Sequence, residues 1–277
     1  MPAVQLTRLR TQLQDLRWHF TQPEAYAAAL RGLFSDYSDL TYRPSPALQS
    51  ANILPSFHIP PVILQQLELS LFPLIQENPS AALAVADALW RDDHIEMRRS
   101  AAYILGQIPA SHLNEVLNRL TLWCRPQESR TYLEALLILG SQRLRSEAPK
   151  AYLNLIYTWL EDPAPAAKSL GLMTLHGLVQ DVSFENLPLL YPLLTSPLQK
   201  APNTLHTELQ QVVKALMRRS PNETTFYLRQ VLGTSAPASP AQRIVRRLLP
   251  TFSPETQEKL RPLLHSSLSA ADEPPSA

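Results

Sequence analysis

Three tryptophans recur along the middle of the chain, and their spacing constrains the fold more than any other feature. Trp90, Trp123 and Trp159 lie 33 and 36 residues apart. Each ends an apolar stretch of helical periodicity and precedes a short polar turn, and a glycine follows 16, 17 or 18 residues later. The three glycines are Gly106, Gly140 and Gly177. A unit of roughly 34 to 37 residues that contains two helices is typical of the helical solenoid repeats.

The stretch 81–109 represents this unit best. Its first helix carries an apolar stripe on one face and ends at Trp90. Asp93 and Glu96, three residues apart, predict a capping box that begins a second helix. Gly106 predicts the end of that helix as a left-handed cap. The stretch is therefore predicted to be a helical hairpin.

One such hairpin cannot bury its own apolar face, so successive hairpins must stack. Alanine and leucine dominate the apolar residues, and no long alternating run of valine, isoleucine and threonine indicates strands. We predict an all-α chain, an α-solenoid of stacked antiparallel helix pairs of the HEAT or armadillo type, in a single domain over 1–265. Its expected parts are N-terminal capping helices at 1–37, a proline-rich irregular connection at 38–60, regular repeats at 61–180, degenerate C-terminal repeats at 181–265 and a disordered tail at 266–277.

Composition and motifs argue against several classes of site. Cys124 is the only cysteine, which excludes an internal disulfide and a cysteine-based metal cluster, and we expect it to be buried beside Trp123. The seven histidines form no i,i+4 ligand pair, and no phosphate-binding glycine loop, nucleophile elbow or HExxH motif occurs. We expect no metal and no cofactor. Without a signal peptide or an 18-residue apolar run, we expect a cytoplasmic protein that does not enter a membrane.

Charge is distributed unevenly along the chain. Residues 198–262 contain ten basic and four acidic side chains, whereas residues 1–197 contain 15 basic and 18 acidic ones. Several of the basic residues are three or four positions apart and so share helix faces. They are Lys214, Arg218, Arg243, Arg246 and Arg247. This asymmetry favours a phosphate-bearing partner, and the alternative is that cations in last helical turns compensate helix dipoles.

Three further cations follow the repeat. Arg98, Arg130 and Lys168 lie 8, 7 and 9 residues after the tryptophan of their unit. The second helices of stacked pairs line one concave surface, so these residues would form a ladder of positive charge across it. Such a ladder would follow a phosphate backbone without reading base sequence. The alternative is that all three are ordinary solvated side chains.

Part of the chain resembles a known family. The resemblance depends on Leu89-Trp90, Arg98-Arg99, Ala101, Ala102, Ile104, Leu105, the helix that ends in Trp123, and Leu139-Gly140. Over about 60 residues these features resemble the bacterial DNA alkylation-repair family of HEAT-like-repeat glycosylases. The resemblance implies a cleft with tryptophans, one of which Trp123 would match, and a catalytic aspartate shortly after a tryptophan. Between Trp123 and Gly140 the chain has no aspartate, and Glu128 is the one candidate for that role.

These observations leave three functional hypotheses. The first is a non-catalytic scaffold that binds a partner on its concave surface, with duplex DNA as the candidate ligand. The second is a protein-interaction scaffold that takes a helix or a peptide. The third is a DNA glycosylase that removes alkylated bases. Pairing of the ladder cations with carboxylates would weaken the first hypothesis. The sequence predicts no oligomeric state.

Overall fold

The chain folds into helices throughout the part that the structure describes. The structure is a computed structural model that describes residues 5–39, 54–125, 127–236 and 239–269. Within these ranges there are fifteen α-helices, four short 3₁₀ turns and no strand, which confirms the all-α prediction. The helices are α1 (Leu6–Arg17), α2 (Pro23–Asp36), α3 (Pro61–Glu77), α4 (Pro79–Trp90), α5 (Ile95–Gln107), α6 (Leu113–Trp123), α7 (Arg130–Leu139), α8 (Gln142–Glu147), α9 (Pro149–Glu161), α10 (Pro165–Gln180), α11 (Tyr191–Lys200), α12 (His206–Arg219), α13 (Pro221–Thr234), α14 (Pro240–Leu248) and α15 (Pro254–Ser269).

Proline determines where many of these helices begin. Eight of the fifteen start at a proline, including α3, α4 and α10. The first residue of a helix has no intrahelical partner for its amide, so a proline there loses no hydrogen bond and supplies the required φ. Asn78 adds a side-chain cap to α4, because its Oδ1 accepts from the amide of Ala81 at 3.0 Å. The abundant prolines thus divide the chain into short helices.

The chain forms two compact units, Met1–Tyr152 and Leu153–Ala277. In the first unit α1, α3, α5 and α7 are successive neighbours, while α2 packs on α4 in a second layer. Helices α3 and α5 run parallel. Arg99 contacts Glu68 at 3.2 Å in their middle turns, and Gln76 Nε2 donates to the carbonyl of Gln107 at 2.9 Å where both helices end.

The second unit also has two layers. Helices α10, α12 and α14 are successive neighbours, and α11, α13 and α15 form the other layer. Helices α10 and α12 run parallel: Ser169 Oγ lies 3.5 Å from a Glu208 carboxylate oxygen near their starts, and Arg219 Nη1 donates to the carbonyl of Val179 at 2.8 Å near their ends. This order of neighbours is compatible with stacked helix pairs.

The glycine of the first hairpin has a different role from the predicted one. Gly106 lies inside α5, and none of the described glycines has a positive φ, so the prediction of a left-handed cap is wrong. A Cβ at this position would lie 1.8 Å from the carbonyl oxygen of Leu139. Gly106 therefore lets the backbones of α5 and α7 meet. Gly177 has no neighbouring atom within 4 Å of an added Cβ, so the recurring glycine does not have this role in every unit.

Parts of the predicted segments lie outside the described residues. The largest are 40–53 of the proline-rich connection and 270–277 of the tail, and the others are 1–4, 126 and 237–238. Helix α15 continues to Ser269, beyond the start of the predicted tail. Among the described helices, none combines the length and the apolar character needed to cross a membrane.

Candidate functional site

Arg98 is the centre of a buried polar cluster in the first unit. It lies early in α5, and only 8% of its surface is exposed. Its Nε donates to the carbonyl of Asp92 at 2.7 Å, and its Nη2 lies 3.3 Å from a carboxylate oxygen of Asp93. Its Nη1 donates to the carboxylate of Glu128. The guanidinium is thus held by three acceptors from the turn before α5 and the turn before α7.

Aromatic rings enclose the same guanidinium. Its central carbon lies 4.2 Å from the ring centroid of Tyr132 and 5.1 Å from that of Trp90. Trp90 in turn stacks on Trp123, with centroids 4.7 Å apart and ring planes within 6°. Two of the three recurring tryptophans therefore meet, because α4 and α6 both end in one. Tyr132 was not predicted, and only its position one repeat after Arg98 could have indicated it.

Arg98 and six other residues line a cavity of about 320 Å³, which we call the tryptophan cavity. Its lining residues are Asp87, Trp90, Arg91, Arg98, Trp123, Arg125 and Glu128. The cavity brings together three residues predicted from the sequence: Arg98, Trp123 and Glu128. Its carboxylates are already paired, Glu128 with Arg98 and Asp87 with Arg119 at 2.6 Å.

Glu96, predicted with Asp93 to form a capping box, has another role. Helix α5 begins after His94, which makes no side-chain capping hydrogen bond, so the capping-box prediction is wrong. The Glu96 carboxylate is buried and accepts from segment 56–58: from the Ser56 hydroxyl at 2.7 Å and from the amides of residues 57 and 58 at 3.1 and 2.9 Å. Glu96 therefore anchors the chain that leads into α3.

The turn before α5 holds a further ion pair. An Asp92 carboxylate oxygen lies 2.6 Å from Arg31 Nη1, and the other accepts from the amide of His94 at 2.8 Å. Burial alone would raise the pKa of Asp92, but the hydrogen bonds from His94 and Arg31 outweigh burial and lower it below its usual range. The His94 ring stacks on Phe57 at 4.1 Å. This cluster fixes the turn.

The predicted ladder is largely neutralised. Arg98 is paired with Glu128 and Asp93, and Arg130 Nε lies 2.8 Å from a Glu134 carboxylate oxygen one turn along α7. Lys168 is half-buried on α10 and makes no ion pair with any residue of the described ranges. Two of the three cations therefore have carboxylate partners.

The second unit gathers the other predicted cations on adjacent helices. Between them α10, α12 and α14 carry seven arginines and lysines and one carboxylate, Glu208. Arg219 is fixed internally, because it donates to three backbone carbonyls at 2.8 to 2.9 Å. We call the remaining six the basic face: all but the half-buried Lys168 are exposed, and Arg246 also donates to the carbonyl of Leu264 in α15 at 3.3 Å. They are Lys168, Lys214, Arg218, Arg243, Arg246 and Arg247.

Two other titratable groups have perturbed environments. Burial raises the pKa of the Cys124 thiol to about 12, with a further contribution from the Glu128 charge, and the thiol is buried as predicted. Burial and the neighbouring charge of Arg243 lower the pKa of His206 below its ordinary value. His206 begins α12 and Arg243 lies in the first turn of α14.

The described residues contain no group of three histidine, cysteine or carboxylate side chains arranged to hold a metal ion. No protein-family model, curated protein sequence or solved structure matches the chain.

Proposed function

We propose that this protein is a non-catalytic helical-repeat scaffold, an α-solenoid of HEAT-like helix pairs, that binds duplex DNA through the basic face. The observation that supports this proposal is the excess of cations over carboxylates on three adjacent helices. Parallel neighbours place their charges side by side, and a row of exposed cations attracts a phosphate backbone irrespective of base sequence. The basic face thus takes the role that the sequence assigned to the ladder.

Dipole compensation does not account for the whole basic face. Arg218, Arg246 and Arg247 lie in last helical turns, where cations are favourable. Lys168 and Arg243 instead lie in the first turns of their helices, next to the positive end of the dipole. Cations near the positive end of the helix dipole destabilise the folded state slightly, and a ligand that neutralises these cations would offset this destabilisation.

A titration of fluorescent duplex DNA at about 50 and about 200 mM salt tests the proposal. Neutralisation of six phosphates predicts a slope of log K against log salt near −5 and a loss of about 10³ in affinity between the two salt concentrations. Absence of binding at the lower salt would refute the proposal. Binding that does not depend on salt would equally refute it, because phosphate contacts release counterions.

Two matched triple variants locate the site. In the basic-face variant, Lys214→Gln, Arg218→Gln and Arg247→Gln remove three exposed cations. In the α1 variant, glutamine replaces the exposed arginines at positions 8, 10 and 17, with the same change in net charge. The basic-face variant should weaken binding and make the salt slope less negative by about 2.7, while the α1 variant should bind like the wild type. Equal losses would mean that net charge, not this face, determines binding.

The glycosylase hypothesis has one supporting observation: Glu128 lies in the tryptophan cavity beside Trp123. Its carboxylate is paired with Arg98, and a paired carboxylate stabilises a developing positive charge less than a free one. We therefore expect no release of methylated bases from alkylated DNA. Release by the wild type that is lost in Glu128→Gln would refute the non-catalytic proposal.

The protein-interaction hypothesis requires an apolar groove rather than a basic face. A bound helix or peptide would therefore not use the residues that bind DNA.

A further inference from the structure

A groove runs between α11 and α13, in the layer of the second unit that does not carry the basic face. Its volume is about 710 Å³, within the range of sites that bury a drug-sized ligand. The rings of Tyr191 and Tyr227 form its base, stacked at 4.8 Å. Phe226 and Pro192 lie on its exposed wall, and 62% of the Phe226 surface is accessible. We call this site the tyrosine groove.

Internal hydrogen bonds fix the orientation of the two tyrosine rings. The Tyr191 hydroxyl lies 3.1 Å from Thr224 Oγ1, and the Tyr227 hydroxyl lies 3.3 Å from Thr195 Oγ1. Only 8% of each tyrosine is accessible, so the pair forms a fixed floor under the groove and offers a ligand little contact area. A preformed site loses little conformational entropy on binding.

The polar lining indicates what kind of chain fits. Asn222 and Gln230 line the groove with exposed amide groups. Among the described residues that line the groove, Glu223 is the only charged one; it is exposed, and its carboxylate accepts from the Ser220 hydroxyl at 2.7 Å. A helix satisfies its own backbone groups and would offer these amides no backbone partners. A polyproline II segment has free carbonyls that amides can bond, and its rings pack on aromatic walls.

We propose that the tyrosine groove binds a proline-rich peptide in the polyproline II conformation that carries a basic residue. The prolines pack against Phe226 and Pro192 above the buried tyrosine pair, the amides bond peptide carbonyls, and Glu223 pairs with the basic side chain. This function is independent of DNA binding, since it uses neither the residues nor the helix layer of the basic face.

The test uses the full chain and a labelled probe, acetyl-Pro-Pro-Pro-Arg-Pro-Pro-Pro-amide, followed by fluorescence anisotropy. The groove variant is Phe226→Ala, and the matched control is Leu122→Ala, an equally exposed apolar residue of the first unit. We expect Phe226→Ala to weaken binding about tenfold or more, as for an aromatic anchor, and Leu122→Ala to leave it unchanged. Circular dichroism of both variants should equal that of the wild type, because neither side chain is buried.

Charge provides the second arm of the test. A probe with glutamate in place of arginine should bind about two- to fivefold more weakly, and Glu223→Gln should abolish most of that difference, as expected for an exposed ion pair. The proposal is overturned if the arginine probe shows no binding at millimolar concentration or binds Phe226→Ala as well as wild type. Tighter binding of an amphipathic helical peptide at the same residues would likewise overturn it. Loss of DNA binding in the basic-face variant with unchanged peptide affinity would separate the two functions.

Discussion

Replacing Gly106 with alanine should destabilise the first unit, even though the same change usually stabilises a helix. The added Cβ would lie 1.8 Å from the Leu139 carbonyl oxygen and 2.8 Å from its carbon. Restoring an ordinary separation of about 3.4 Å requires α5 and α7 to move apart by roughly 1.6 Å. The obstacle is backbone and not a flexible side chain, so we take the upper end of the usual overpacking cost, about 3 kcal/mol.

Part of this cost is offset by the better helix propensity of alanine, about 0.5–1 kcal/mol. The net loss is then about 2 kcal/mol, which corresponds to a fall in Tm of about 4–8 °C for a chain of this size. Gly32→Ala is the matched control, because Gly32 lies inside α2 with no atom within 4 Å of the added Cβ. It should raise stability by about 0.5–1 kcal/mol. Thermal denaturation followed by circular dichroism measures both, and a Gly106→Ala variant as stable as Gly32→Ala would refute the close packing of α5 on α7.

Three further predictions follow from the described contacts. Arg98→Ala should lower the free energy of unfolding by about 3–5 kcal/mol because it breaks a buried ion pair. Loss of the exposed ion pair in Arg130→Ala should lower it by only about 0.3–0.5 kcal/mol, and equal losses in urea denaturation would contradict the difference in burial. Cys124, with a pKa near 12, should react with a thiol reagent at pH 8 only as fast as the protein opens, and rapid stoichiometric labelling would contradict its burial. Because the folded state lowers the pKa of His206, the contribution of this histidine to stability is present above its ordinary pKa and is lost as the pH falls through the folded-state pKa. An NMR titration should show the pKa of His206 rising in Arg243→Gln, and an unchanged pKa would exclude the charge of Arg243 as a cause.

The sequence predicted the helices well because their signals are local. Apolar periodicity and proline at helix starts depend on residues a few positions apart, and the structure confirms both. The stacking of Trp90 on Trp123 follows from a recurrence that is visible in the sequence. Helix ends were predicted less reliably. A glycine near a helix end is equally compatible with a left-handed cap and with a close backbone contact, and only the position of α7 shows that Gly106 makes the contact.

The candidate sites depend on partners that the sequence does not place together. Glu96 accepts hydrogen bonds from residues 38 to 40 positions earlier, and Arg98 pairs with Glu128 30 positions later. Spacing of three residues suggested a capping box for Glu96, but a long-range partner uses the same carboxylate. The ladder had the same weakness: the regular spacing of Arg98 and Arg130 was real, whereas the carboxylates that neutralise them became evident only in the fold.

DNA binding by the basic face is best tested by the salt dependence of duplex DNA affinity, measured for the wild type and for the two triple variants. We expect a slope of log K against log salt near −5 for the wild type and the α1 variant, and a slope less negative by about 2.7 for the basic-face variant. The same slope in all three proteins, or no binding of the wild type at about 50 mM salt, would contradict the claim that α10, α12 and α14 bind phosphate.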